Sequence, residues 1–103
     1  MRCRRCVIPA RCYYEWDHRR GLEKYRFFLP DQRIMYLAGL YRVREGRAEF
    51  AVLTREAAGG TEAFHNRMPV IAPPGLIGTW LDPTAPPRVL LEEAVTDLRW
   101  QPA

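Results

Sequence analysis

The sequence has no apolar run close to the roughly eighteen residues that a membrane-spanning helix requires. Its basic N-terminus is not followed by an apolar segment, so no signal peptide is expected. Internal repeats, low-complexity tracts and an interdomain linker are also missing. The chain has 103 residues, 48% of them hydrophobic, and we expect a single domain spanning residues 1–103. Without a membrane span or a signal peptide, we expect a location in the cytoplasm and no membrane partner.

Cysteine is scarce, and its odd number argues against a disulfide framework. Cys3, Cys6, Cys12 and His18 have the spacing C-x2-C-x5-C-x5-H, which is a candidate zinc site with three cysteine ligands and one histidine. Structural zinc sites usually present their ligands as two closely spaced pairs, whereas the last two ligands here are scattered. Cys12 also falls within an aromatic strand pattern, where a free thiol packs as a small apolar group. We therefore expect no metal and no cofactor.

Positive charge is concentrated near the N-terminus. Residues 1–26 contain eight lysine and arginine residues against three acidic ones, a balance of +5, whereas residues 27–103 contain eight against nine, a balance of −1. A basic segment of this kind is a contact surface for a polyanion such as nucleic acid. The alternative is a solvated charged edge without a partner. On charge alone, this alternative is favoured over nucleic-acid binding.

The hydrophobic pattern predicts strands first and helices late. Residues 6–8 are a short apolar run closed by a proline, and strands are predicted at residues 12–16, 25–29, 34–43, 48–54 and 68–72. The segment 44–47 is a tight connection, and we expect the strands around it to form a central β-meander. Proline pairs at positions 73–74 and 86–87 are typical of helix starts, and the last residues, LRWQPA, resemble a strand. This order predicts an α+β fold.

Three polar residues interrupt the strand pattern. Glu15 lies among the rings of CYYEWD, Thr54 ends a strand, and His65 precedes a short apolar strand. A glutamate and a histidine can share a proton and act as acid and base, and Arg67 could hold a phosphate beside them. Each of the three polar residues also has a simpler interpretation, as an exposed glutamate, a strand-ending threonine or a loop histidine.

Five segments occur in the order and spacing of a known family. They are RRCVIPARCYYEW, LAGLYRV, FAVLTREA, FHNRMPV and TWLDP. Together they cover nearly the whole chain, and their pattern resembles the SOS response-associated peptidase (SRAP) family. The resemblance implies a mixed, largely antiparallel β-sheet or open barrel with short helices, and a positively charged cleft for single-stranded DNA.

Members of this family capture the aldehyde of an abasic site in DNA on an N-terminal cysteine, which forms a thiazolidine. The match to their motifs implies catalytic roles for Glu15, Thr54 and His65, with the glutamate and histidine assisting proton transfer. It implies that Arg67 contacts a DNA phosphate, and it implies peptidase or lyase chemistry for the family. The aromatic neighbours of Glu15 are then expected to face the core.

The chain also departs from the family pattern. The family begins Met-Cys-Gly-Arg, whereas this chain begins Met1-Arg2-Cys3, and Cys3 matches an internal strand. We therefore expect the family's N-terminal half and last strand to be absent, the fold to be incomplete, and crosslinking to be inactive. Two interpretations stay open. One is a truncated member with a residual site; the other is a non-catalytic remnant that binds nucleic acid, a partner subunit or a second copy through exposed edges.

Overall fold

The computed structural model of the chain describes residues 2–17 and 21–103. His18, the fourth ligand of the zinc hypothesis, lies outside the described residues. Strands in the described part are β1 (Arg4–Ala10), β2 (Tyr13–Asp17), β3 (Glu23–Phe28), β4 (Met35–Arg44), β5 (Arg47–Val52), β6 (Thr54–Glu56), β7 (Arg67–Pro69), β8 (Ile71–Ala72) and β9 (Arg99–Pro102). Helices are α1 (Ile77–Leu81) and α2 (Pro87–Glu93), with 3₁₀ turns at Thr61–Ala63 and Pro74–Leu76.

The strands form three antiparallel sheets. In the first, β4 is central and pairs with β1, β5 and β8; in the second, β3 lies between β2 and β9; the third is the pair β6–β7. Within the described ranges the sheets do not close into a barrel. Antiparallel sheets followed by short helices confirm the α+β prediction.

The predicted hairpin around residues 44–47 is confirmed. Arg44 pairs with Arg47 across a two-residue turn in which Glu45 has φ 52° and Gly46 has φ 77°. Two consecutive left-handed residues are typical of the tight turns whose twist matches that of paired strands, and a glycine at the second position adopts that conformation without steric cost.

β3 and β4 belong to different sheets and do not pair with each other. Pro30, in the connection between them, has no N–H with which to continue a ladder, and the chain leaves the second sheet there. The predicted strand at residues 68–72 is in turn divided at Val70 into β7 and β8. The fully buried Val70 donates to the Leu53 carbonyl and accepts from the Ala38 N–H, both at 2.9 Å. Val70 therefore connects the junction of β7 and β8 to β4 and to the residue between β5 and β6.

An aromatic cluster around Phe27 forms the centre of the larger core. The Phe27 ring stacks on Tyr13 with a centroid separation of 5.0 Å, and it meets Phe64 edge-on at 5.4 Å. The Trp100 ring packs on the same two phenylalanines, with centroid separations of 6.1 Å from Phe27 and 5.3 Å from Phe64. Rings in these arrangements contribute favourable electrostatics beyond their burial. The core therefore joins the second sheet to the segment that follows the Thr61–Ala63 turn.

A smaller core lies between the first sheet and the helices. Trp80 of α1 is buried there, and its Nε1–H donates to the Cys6 carbonyl of β1 at 2.9 Å. The Arg5 guanidinium lies 4.8 Å from the Trp80 ring centroid and donates to the Asp82 carbonyl at 2.8 Å. These contacts hold α1 against β1. No helix in the described ranges has the length and apolar character needed to cross a membrane.

The three cysteines are not grouped with other candidate metal ligands in the described part of the chain. Cys3 is exposed, Cys6 and Cys12 are half-buried, and all three are free thiols. Burial raises the pKa of the Cys6 thiol, which keeps it protonated. Among residues 2–17 and 21–103, no group of three histidine, cysteine or acidic side chains is placed to hold a metal ion.

We expect Phe27→Ala to lower the free energy of unfolding by about 3–5 kcal/mol, because it leaves a cavity at the centre of the aromatic cluster. Phe50→Ala is the matched control, since Phe50 is 67% exposed and its loss should change stability by no more than about 0.5 kcal/mol. Urea unfolding followed by circular dichroism measures both. Equal destabilisation by the two variants would contradict this assignment of the core.

Candidate functional site

The alternation of side chains along β2 places Glu15 on the inner side of the sheet. Tyr13 and Glu15 are partly buried, whereas Tyr14 and Trp16 are 51% and 49% exposed. The expectation that the aromatic neighbours of Glu15 face the core is therefore wrong for Tyr14 and Trp16, and right only for Tyr13. Successive residues of a strand point to opposite faces, so a carboxylate facing inward forces both adjacent rings outward.

His65 meets Glu15 from the segment that follows the Thr61–Ala63 turn. Its Nε2 lies 3.2 Å from Oε1 of Glu15, with 34% of the histidine side chain and 30% of the glutamate side chain exposed. The turn begins after Gly60, which has φ 102°, a left-handed conformation that favours glycine. Thr61, buried, donates to the Ala58 carbonyl at 2.8 Å and so fixes the start of the turn.

Hydrogen bonding to the other ring nitrogen assigns the tautomer of His65. The shorter of the Nδ1 contacts with the Arg67 backbone is to its N–H, at 3.1 Å, against 3.3 Å to its carbonyl oxygen. Nδ1 is therefore the acceptor, which in a neutral imidazole leaves the hydrogen on Nε2. That hydrogen points at Glu15. The pair thus has one proton between a carboxylate oxygen and an imidazole nitrogen, as an acid–base pair requires.

Thr54 orients the guanidinium of Arg67 across the β6–β7 pair. Nη2 of Arg67 donates to the Thr54 carbonyl at 2.8 Å and to its hydroxyl at 3.1 Å, and Nε lies 3.3 Å from the same hydroxyl. Arg67 is exposed, and no carboxylate pairs with it in the described ranges. Its positive charge is therefore held in place and remains available to an anion.

All four residues predicted for the site line one open cleft of about 270 Å³. Its remaining walls are mostly apolar: Tyr13, Leu37, Val52, Met68 and Pro69. Tyr13 was not predicted from the sequence as a member of the site, although its spacing of two residues from Glu15 places both on one face. Burial, with a further contribution from the Glu15 charge, raises the pKa of Tyr13. Tyr13 is therefore a neutral hydroxyl beside the carboxylate at physiological pH.

None of the three cysteines lines this cleft. Cys3 borders a separate surface with Tyr41 and Phe50 on the first sheet. The described residues of the cleft therefore supply an acid–base pair and a cation, and they supply no thiol.

A family model described as SOS response associated peptidase (SRAP) matches residues 1–102. No curated protein matches the sequence. Among solved structures, a protein from Bacteroides thetaiotaomicron has a TM-score of 0.80 at 21% identity, a similarity that concerns the fold alone. A phage-related protein from Bordetella bronchiseptica has a TM-score of 0.76 at 29% identity, and another protein from that organism has 0.76 at 28%.

The chain spans about half the length of these solved proteins. The alignments cover 96%, 96% and 97% of this chain, but only 49%, 53% and 55% of the respective solved chains. The fold described above therefore corresponds to one portion of each of those proteins.

We expect Tyr13→Phe to change the dependence of stability on alkaline pH. Because the pKa of Tyr13 is raised from its ordinary value of 10.0, the unfolded chain loses this proton at a lower pH than the folded chain does. Above that ordinary value the unfolded state binds fewer protons, so the free energy of unfolding falls as pH rises. Tyr13→Phe should remove this part of the fall.

Urea unfolding between pH 7 and pH 11 measures the effect, and Glu15→Gln should reduce it in part because it removes the neighbouring charge. An identical alkaline loss of stability in wild type and Tyr13→Phe would show that Tyr13 ionises freely in the folded chain.

Proposed function

This chain belongs to the SOS response-associated peptidase family, and we propose that its cleft binds single-stranded DNA at an abasic site and exchanges a proton with it. The observation that carries the proposal is the 3.2 Å contact between Glu15 and His65 beside the fixed, exposed Arg67. Family membership alone would not assign a role to particular side chains.

Arg67 is proposed to position the DNA. Its guanidinium presents several donors in one plane, which suits a phosphate better than a flexible ammonium group would. Thr54 occupies part of this fork through its carbonyl and hydroxyl, and so fixes the direction in which the remaining donors point. Thr54 then acts on the substrate through Arg67.

Glu15 and His65 are proposed to transfer protons. Both side chains are about one-third exposed, so a ligand entering the cleft can reach them. His65 can donate the Nε2 proton, or Glu15 can accept one, when the sugar aldehyde of an abasic site is attacked or released. A positioned acid–base group of this kind typically contributes about 10²–10⁴-fold to a rate.

No side chain of this cleft is proposed as a nucleophile. No cysteine lines the cleft in the described residues, so the chain is given the positioning and proton-transfer parts of the chemistry. A stable crosslink to DNA is accordingly not expected from Cys3, Cys6 or Cys12.

A non-catalytic binding role is the second candidate, and the exposed strand β5 favours it. Phe50 on β5 is 67% exposed, Val43 on β4 is 58% exposed, and the outer edge of β5 has no strand beside it in the described part of the chain. An open edge with exposed apolar side chains is a surface for a partner subunit or a second copy. Under this alternative the cleft binds DNA without taking part in proton transfer.

Replacing Arg67 by Gln should weaken binding of a labelled abasic single strand by about tenfold, since one charge-assisted phosphate contact is lost. The dependence of log affinity on log salt should also become shallower by about 0.7. Fluorescence anisotropy at several salt concentrations gives both values. Arg47→Gln is the matched control, because it also removes one positive charge. Arg47 lies on β5 about 16 Å from Val52, which lines the cleft.

Glu15→Gln separates the two candidate functions. It should leave DNA affinity nearly unchanged, but slow thiazolidine formation between free cysteine and the bound abasic site at least tenfold relative to the wild-type chain. In that reaction the aldehyde joins the added amine and thiol, and one water is released. Equal rates with wild type and Glu15→Gln would refute the proton-transfer role and leave the binding role, whereas equal affinities of wild type and Arg67→Gln would refute the DNA site.

A further inference from the structure

The outer face of the second sheet has a composition unlike that of the cleft. In the register of this sheet Tyr14 is opposite Arg26 and Trp16 is opposite Lys24, while Arg26 is opposite Gln101. The side chains on this face are Tyr14, Trp16, Lys24, Arg26, Phe28, Arg99 and Gln101. Three aromatic rings therefore alternate with three cations on one surface.

Two of the three cations, Lys24 and Arg26, lie over aromatic rings. Nζ of Lys24 lies 4.7 Å from the ring centroid of Tyr14 and 6.0 Å from that of Trp16, and the Arg26 guanidinium lies 4.5 Å from that of Phe28. Such contacts spread positive charge along the aromatic surface without burying it. Tyr14 and Trp16 nevertheless remain about half exposed, which leaves ring area for a further flat group.

The outward positions of these three strands contain no acidic residue. Asp97, which precedes β9, forms a 3.0 Å ion pair with Arg99. On the opposite face of the same sheet lie the acidic residues Glu15, Asp17 and Glu23. The outer face is thus cationic and aromatic, which is complementary to an anionic chain carrying flat bases.

We propose that this outer face binds single-stranded DNA by stacking bases on Tyr14 and Trp16 while Lys24 and Arg26 contact phosphates. Sequence-independent binding of single strands uses this combination of aromatic platforms and basic side chains. β2 is an edge strand of its sheet, and Glu15 lies between Tyr14 and Trp16 in the sequence. A strand leaving the cleft at Glu15 has only to cross the β2 edge to reach the outer face. The choice of DNA as the occupant rests on the proposed function.

Tyr14→Leu tests the stacking contribution, because it removes the ring without changing charge. Affinity for a single-stranded DNA of mixed sequence should fall roughly 5- to 100-fold, with an unchanged salt dependence. Affinity for an oligomer of the same length made only of base-free sugar phosphates should not change. Lys24→Gln should instead make the slope of log affinity against log salt shallower by about 0.7, for both the DNA and the base-free oligomer. Leu91→Ala, at an exposed apolar side chain of α2, is the control and should behave as wild type.

The outcomes distinguish this face from the cleft. A loss of affinity with Tyr14→Leu but none with Arg67→Gln supports the face and refutes the cleft, and the reverse result refutes the face. If Tyr14→Leu lowers only the free energy of unfolding, the cation–aromatic contacts are structural and the proposal is overturned. Tighter binding of a single-stranded RNA of the same sequence would overturn the choice of DNA.

Discussion

The two-residue side-chain period of β2 is the constraint on which both the cleft and the outer face depend. One strand of five residues directs Tyr13 and Glu15 inward and Tyr14 and Trp16 outward. Tyr13 is fixed by its stacking on Phe27, and this contact sets which face each neighbour occupies. A shift of β2 by one residue would turn Glu15 to solvent and separate it from His65.

The rest of the site comes from elements that are distant in the sequence and converge on β2. Phe64 packs edge-on against Phe27, so the following residue, His65, is placed beside Glu15. The backbone N–H of Arg67 then fixes the His65 ring, and Thr54 fixes the guanidinium of Arg67. The positions of these polar groups therefore depend on the aromatic core beneath them. A cavity at Phe27 should disturb the site as well as the stability of the fold.

Much of this arrangement could be predicted from the sequence, and the errors have identifiable physical causes. The turn at Gly46 and the alternating apolar residues around it indicated the β4–β5 hairpin. Local patterns do not reveal which sheet a strand joins, and the consecutive strands β3 and β4 lie in different sheets. The alternation in CYYEWD gives two faces but does not say which one is buried. That was decided by Phe27 and Phe64, one on the neighbouring strand and one far along the chain.

The grouping of Glu15, Thr54, His65 and Arg67 was predicted from spaced motifs, whereas their contacts needed the tertiary structure. The most direct test of a DNA-binding cleft is a nuclear magnetic resonance titration that follows the His65 ring and Arg67 Nε signals. Adding an abasic single strand should shift both signals, and both shifts should saturate at the same DNA concentration. Signals of β5 should shift less. Saturation of DNA binding without a shift of either signal would contradict a DNA site built on these side chains.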